Sequence, residues 1–129
     1  MMRKLVMASL LIGLSASSAQ SAPASSATVD VTLSSFRISP NIIHLRAGVP
    51  VVLRFQNSAS GGHNFSAMQF FSAARLEAAS ISRVQRGTVE VPKHGTINVE
   101  LIPAAGRYPI KCTHTLHAMF GMKGTIIVD

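Results

Sequence analysis

From residue 28 onward, apolar and polar positions alternate with a period of two. Val29, Val31 and Leu33 alternate with Asp30, Thr32 and Ser34. Val49, Val51, Leu53 and Phe55 alternate with Pro50, Val52, Arg54 and Gln56, and Ile97, Val99 and Leu101 with Thr96, Asn98 and Glu100. Successive side chains on a strand point to opposite faces, so each run predicts a strand with one buried face. Shorter strands are expected at 42–45, 88–91, 107–112 and 124–128, separated by breakers such as Ser39-Pro40-Asn41, Gly61-Gly62 and Ala105-Gly106. One segment breaks the pattern. Residues 68–80, MQFFSAARLEAAS, are rich in Ala with Leu and Glu and hold no turn residue, which predicts a short helix over about 69–79 with Phe70 and Phe71 packed inward. Seven to eight short strands and one inserted helix predict an all-β fold, a Greek-key sandwich or barrel.

The first residues do not belong to that pattern. Arg3 and Lys4 precede an apolar run from Leu5 to Leu14, followed by small residues. This is the layout of a secretory signal peptide, and the run is too short to cross a bilayer. Cleavage is expected after Ala19 or after Ser21. Cutting after Ala22 would place Pro23 beside the scissile bond. The expected organisation is a signal peptide over 1–21, a flexible leader over 22–27 and one domain over 28–129. The mature chain would be periplasmic, without a further membrane span. Loss of Arg3 and Lys4 lowers the formal net charge from +7 by two, to +5. The remaining bases are dispersed and little interleaved with aromatics, which speaks against nucleic acid. A mildly basic surface favours an acidic protein partner or an anionic membrane face.

Cysteine use changes the picture more. Exported domains of this size often carry paired cysteines, but Cys112 is alone. A leftover thiol in an oxidising compartment is a free thiol, an intermolecular link or a ligand. A buried structural thiol is its ordinary fate. The surroundings argue otherwise: in CTHTLHAMFGM, residues 112–122, His114, His117, Met119 and Met122 follow the thiol. Parity places Tyr108, Ile110 and Cys112 on one inward face and Arg107, Pro109 and Lys111 on the other. KGTIIVD follows Met122 at once, so residues 113–121 form a tight connection between neighbouring strands. Four residues between Cys112 and His117 span at most about 14 Å, which keeps His117 near the thiolate. A blue-type copper site uses two histidines and a cysteine near a plane, with a weak axial methionine. His63, in GGHNF after the strand at 49–57, is the best source of the second imidazole. Met119 competes with Met122 for the axial position, and His114 with His117. His44 and His94 read as solvated.

The C-x4-H-x4-M spacing of Cys112, His117 and Met122 running into KGTIIV, with GHNF upstream, resembles the cupredoxins, the small blue-copper proteins. The loop spacing is most similar to the rusticyanin and auracyanin type. ISPNIIHLRAGVPVVLRFQN, residues 38–57, looks like the paired early strands of that fold. The resemblance implies His63, Cys112 and His117 as equatorial ligands of one copper ion, Met122 as axial ligand, and Asn64 tying the two ligand segments together. It also implies an apolar docking patch around His117.

A copper site closed by four side chains leaves no position for substrate. The expectation is therefore a one-electron carrier rather than an enzyme, working as a monomer with a redox partner that docks near His117. The alternative is a periplasmic copper-handling protein for tolerance or delivery, in which His114 and Met119 would matter. A Cys–His hydrolase would need a substrate cleft for which the chain has little spare length.

Overall fold

The computed structural model describes Ser18, residues 26–114, His117 and residues 120–129. In chain order these residues form β1 (Ala27–Ser34), β2 (Arg37–Ser39), β3 (Ile42–Leu45), β4 (Val51–Asn57), β5 (His63–Ser66), helix α1 (Met68–Ala73), β6 (Arg75–Leu76), a 3₁₀ helix (Ala78–Arg83), β7 (Thr88–Val91), β8 (Thr96–Ile102), β9 (Gly106–Lys111) and β10 (Lys123–Val128). One sheet has the order β2-β1-β4-β8-β6 and the other β3-β10-β9-β5-β7. The β1–β4 and β3–β10 pairs are parallel, and the other ladders are antiparallel. The sheets face each other as an all-β sandwich, because each is apolar on one side only.

The inward faces follow the sequence alternation. Val31, Leu33, Leu53, Phe55, Val99 and Leu101 are fully buried from one sheet, and Phe65, Val89 and Ile126 from the other. Phe55 and Phe65 close the gap between the sheets with ring centroids 4.6 Å apart. Full burial of each such side chain stabilises the fold by about 1.5–3 kcal/mol. Val49 departs from its expected inward place: it is 47% exposed and lies before β4. The turn through Gly48 (φ 74°) and then Pro50 delays the strand until Val51.

The helix expected over 69–79 is shorter. α1 ends at Ala73, Ala74 is extended, and Arg75 and Leu76 pair with Ile102 and Leu101 as an edge strand. Six helical residues gain little from Ala propensity, and pairing with the unpartnered edge of β8 wins over it. Phe70 and Phe71 do pack inward, against Tyr108 and Phe65 respectively. β2, β5 and β6 are additions to the expected strands. β2 and β6 have three and two residues, too short for a readable alternation, and β5, HNFS, carries a single apolar residue, Phe65. β1 opens at Ala27, one residue inside the expected leader. Apart from Ser18, the expected signal peptide and most of the leader lie outside the described residues, as do Thr115, Leu116, Ala118 and Met119.

β9 and β10 form the antiparallel pair that frames residues 112–122, with Lys111 opposite Lys123. Gly124, next along β10, has a structural reason: a Cβ there would lie 2.1 Å from the Asn41 carbonyl oxygen. Only glycine lets β10 approach the segment before β3 so closely.

Candidate metal centre

Two connections at one end of the sandwich carry the site. The first joins β4 to β5. Asn57, at the end of β4, is buried and clamps this loop from inside. Its Nδ2 donates to the carbonyls of Gly61 (2.9 Å) and Val91 (3.0 Å), and its Oδ1 accepts from the Ala59 N–H (2.9 Å). A buried amide with these bonds fixes the loop, so His63 enters β5 in a set orientation. His63 is 4% exposed.

The second connection joins β9 to β10. Cys112 continues the inward parity of Tyr108 and Ile110 and is fully buried. Its N–H donates to the Met122 carbonyl at 3.0 Å, which closes the loop at its base. Further in, the His117 N–H donates to the His114 carbonyl (3.1 Å), and the Met122 N–H donates to the His117 carbonyl (3.1 Å). These bonds bring His117 back beside the thiol, its Nδ1 3.3 Å from Cys112 Sγ. Gly121, at φ 94°, supplies the left-handed residue that returns the chain to Met122. Met122 is fully buried in the core at the loop's base.

Asn64 ties the two connections together. It is 2% exposed; its Oδ1 accepts from the Thr113 N–H (2.8 Å), and its Nδ2 donates to Thr113 Oγ1 (2.7 Å) and Glu90 Oε1 (2.8 Å). The bond expected for Asn64 from the resemblance is therefore present, with Glu90 added.

The outcome is a compact donor triangle. His63 Nδ1 and His117 Nδ1 are 3.2 Å apart, Cys112 Sγ is 3.3 Å from His117 Nδ1 and 4.0 Å from His63 Nδ1. A point equidistant from three atoms at these separations lies about 2.1 Å from each, inside the triangle. That matches the bond lengths of about 2.0–2.3 Å that imidazole nitrogen and thiolate sulfur make to a transition-metal ion. His63, Cys112 and His117 form a metal-competent group among the described residues. Two imidazoles and a thiolate, with a buried methionine beside them, are the donor types a copper ion takes in both oxidation states. The chemistry of the residues supports one bound copper ion.

His114, the alternative to His117, lies apart from the triangle: its Nε2 faces Glu90 Oε2 at 3.1 Å. His44 is exposed in β3, and His94 takes a left-handed turn position (φ 54°). Neither reaches the site. Met119 lies outside the described residues.

Three residues near the site were not singled out by sequence. Asn57 carries a readable signal, since an Asn ending an apolar strand before SASGG favours an Asx turn. Glu90 has none, because an exposed acid in a short strand looks like ordinary solvated surface. Phe36 is half-exposed at φ 58°, with its ring edge-on to His117 at 5.4 Å and near Phe120 at 5.3 Å. Phe120 is 61% exposed. His117 thus meets the half-exposed ring of Phe36, which packs in turn against the exposed ring of Phe120.

Burial pushes the His63 imidazole below its ordinary pKa of 6.5, and the neighbouring His117 and His114 rings push in the same direction. The neutral form is the one that binds metal. The sign for stability follows. With the folded pKa depressed, the unfolded chain takes up a proton first as pH falls. The metal-free protein keeps its full stability above pH 6.5 and loses part of it as pH drops through that value toward the folded pKa. Urea midpoints of the metal-free chain between pH 8 and pH 5 should fall on acidification, and this part of the slope should vanish in His63→Ala.

The family model for the cupredoxin-like domain matches residues 5–128. Among solved structures, the dithionite-reduced auracyanin of the photosynthetic bacterium Roseiflexus castenholzii superposes with a TM-score of 0.61 at 17% identity, covering 81% of this chain and 98% of that one. Auracyanin B superposes with a TM-score of 0.58 at 21% identity, covering 85% and 92% respectively. At such identities the likeness shows the fold. A search of the curated proteins finds no match.

Proposed function

Because this chain belongs to the cupredoxin-like domain family, we propose that it is an exported type 1 copper protein working as a one-electron carrier. The observation that carries this reading is the triangle of His63 Nδ1, Cys112 Sγ and His117 Nδ1, sized for one ion. In the proposed ligand set these three would hold the ion, and the buried Met122 would add its thioether as a fourth donor. Copper, when bound, supplies the one-electron chemistry by cycling between Cu(II) and Cu(I).

The protein's own part is to keep that set still. Asn57 holds the loop before His63, and Asn64 locks β5 to Thr113, so the two ligand segments move as one body. Burial of Cys112 and Met122 excludes water from both sulfurs. A set that need not rearrange suits fast transfer. His117 is the proposed ligand nearest the surface, and the exposed Phe36 beside it, with Phe120 packed on Phe36, offers an apolar rim for a redox partner. The positive net charge fits an acidic partner. The carrier is expected to be a periplasmic monomer, released from a signal peptide at residues 1–21. Among the described residues, no helix is long and apolar enough to cross a membrane.

A non-enzymatic role is supported by the fully buried Cys112, whose sulfur a substrate could not reach as it would have to in a Cys–His hydrolase. The test is redox cycling. The copper-loaded chain should bleach with ascorbate and recover its full colour with ferricyanide over repeated cycles. Loss of copper on reduction, or colour that does not return, would overturn the carrier reading.

A further inference from the structure

The proposed ligand set leaves His114 and Glu90 unused. His114 follows Cys112 by two residues, yet its ring does not turn inward. Thr113 is held by Asn64, and the next residue swings across Gly62 instead. A Cβ at Gly62 would lie 3.6 Å from His114 Cε1, so the ring lies directly over that glycine. His114 Nε2 then meets Glu90 Oε2 at 3.1 Å. The other carboxylate oxygen, Oε1, accepts the Asn64 amide, which fixes the rotation of the carboxylate. Arg83 and Arg86 line the same cleft as Glu90, a cavity of about 730 Å³, yet among the described residues the ion-pair partner of Glu90 is His114.

An imidazole nitrogen and a carboxylate oxygen are thus held 3.1 Å apart, a separation at which two ligands can share one ion. Both side chains reach solvent, with exposures of 34% and 67%, so water can complete the coordination. We infer that Glu90 and His114 form a second, outer metal site for a borderline divalent cation such as Cu(II). Imidazole with carboxylate and water suits Cu(II), Ni(II) and Zn(II), whereas the inner set with its thiolate also suits Cu(I). Orientation of the carboxylate by Asn64 is the kind of outer support that strengthens a metal site. The His114 ring lies 5.5 Å from that of His117 and 6.3 Å from that of His63, measured between centroids. The outer site therefore stands at the mouth of the inner one and holds an oxidised ion beside both inner imidazoles.

The test uses the whole mature chain carrying one equivalent of Cu(II), to which a second equivalent of Cu(II) is added and followed by electron paramagnetic resonance. The visible band of the first equivalent reports the inner site separately. The expected result is a second signal with the wide hyperfine splitting of nitrogen and oxygen ligands, and no added thiolate band. His114→Ala and Glu90→Gln should each weaken the second equivalent by about tenfold or more, while His44→Ala and His94→Ala leave it unchanged. Glu90→Gln keeps an acceptor for Asn64, so the clamp on Thr113 survives in that variant. Absence of a second bound equivalent overturns the inference. So does a second equivalent indifferent to either His114→Ala or Glu90→Gln, since both residues must contribute.

Discussion

Cys112→Ser abolishes the intense visible absorption expected of the copper-loaded chain. That band is a charge transfer from thiolate sulfur to Cu(II), and Cys112 is the only sulfur donor in the triangle with the two imidazoles. Ser offers a harder oxygen that is not ionised at neutral pH, so affinity for Cu(I) should fall most. The substitution is nearly isosteric at a fully buried position, and the fold should survive it at a cost of about 1–3 kcal/mol for the buried hydroxyl. Absorption spectra after Cu(II) addition, with far-ultraviolet circular dichroism as the fold control, read both effects. A folded Cys112→Ser chain that keeps the band would remove Cys112 from the site.

Phe65→Ala should be the most destabilising single truncation near the site. Phe65 is fully buried in β5, between the sheets, against Phe55 at 4.6 Å and Phe71 at 6.2 Å. Removing the ring loses its transfer free energy and leaves a cavity that two stiff sheets cannot close. The expected loss is about 3–5 kcal/mol, which lowers Tm by more than about 10 °C in a domain of this size. His63 and Asn64 precede Phe65 on the same strand, so the metal-free site should loosen as well. Copper binds the folded state and should recover part of the lost stability by mass action. Calorimetry of the metal-free and copper-loaded forms separates the two contributions. A change below about 1 kcal/mol would mean that Phe65 does not seat β5 as described.

The long strands were legible because their alternation is physical: one face of β1, β4 or β8 must be apolar to meet the other sheet. The short strands were not, since β2 and β6 offer two or three residues to a pattern of period two. The segment at 68–80 misled for a related reason. Its Ala-rich composition favours a helix locally, while the free edge of β8 captures Arg75 and Leu76, and an edge is invisible before the sheet is assembled. At the site, Cys112 could be placed inward from Tyr108 and Ile110, because strand parity persists to the end of β9. His63 was legible only because the ligand set needs one imidazole from outside the loop after Cys112, since nothing in GGHNF alone distinguishes a ligand from a turn histidine. What the sequence does not show is where His114 goes: the bonds of Thr113 to Asn64 end the strand parity, and His114 turns toward Glu90. Those bonds join residues far apart in the chain, and no local spacing encodes them.

The most direct test of the account is a Cu(II) titration of the protein, watched in the visible, for the parent and for His63→Ala, His117→Ala and His114→Ala. The account predicts an intense thiolate-to-copper band that saturates at one equivalent, is retained in His114→Ala, and is lost or strongly shifted in His63→Ala and His117→Ala. No band in the parent protein, or a band that depends on His114 and not on His117, would contradict it.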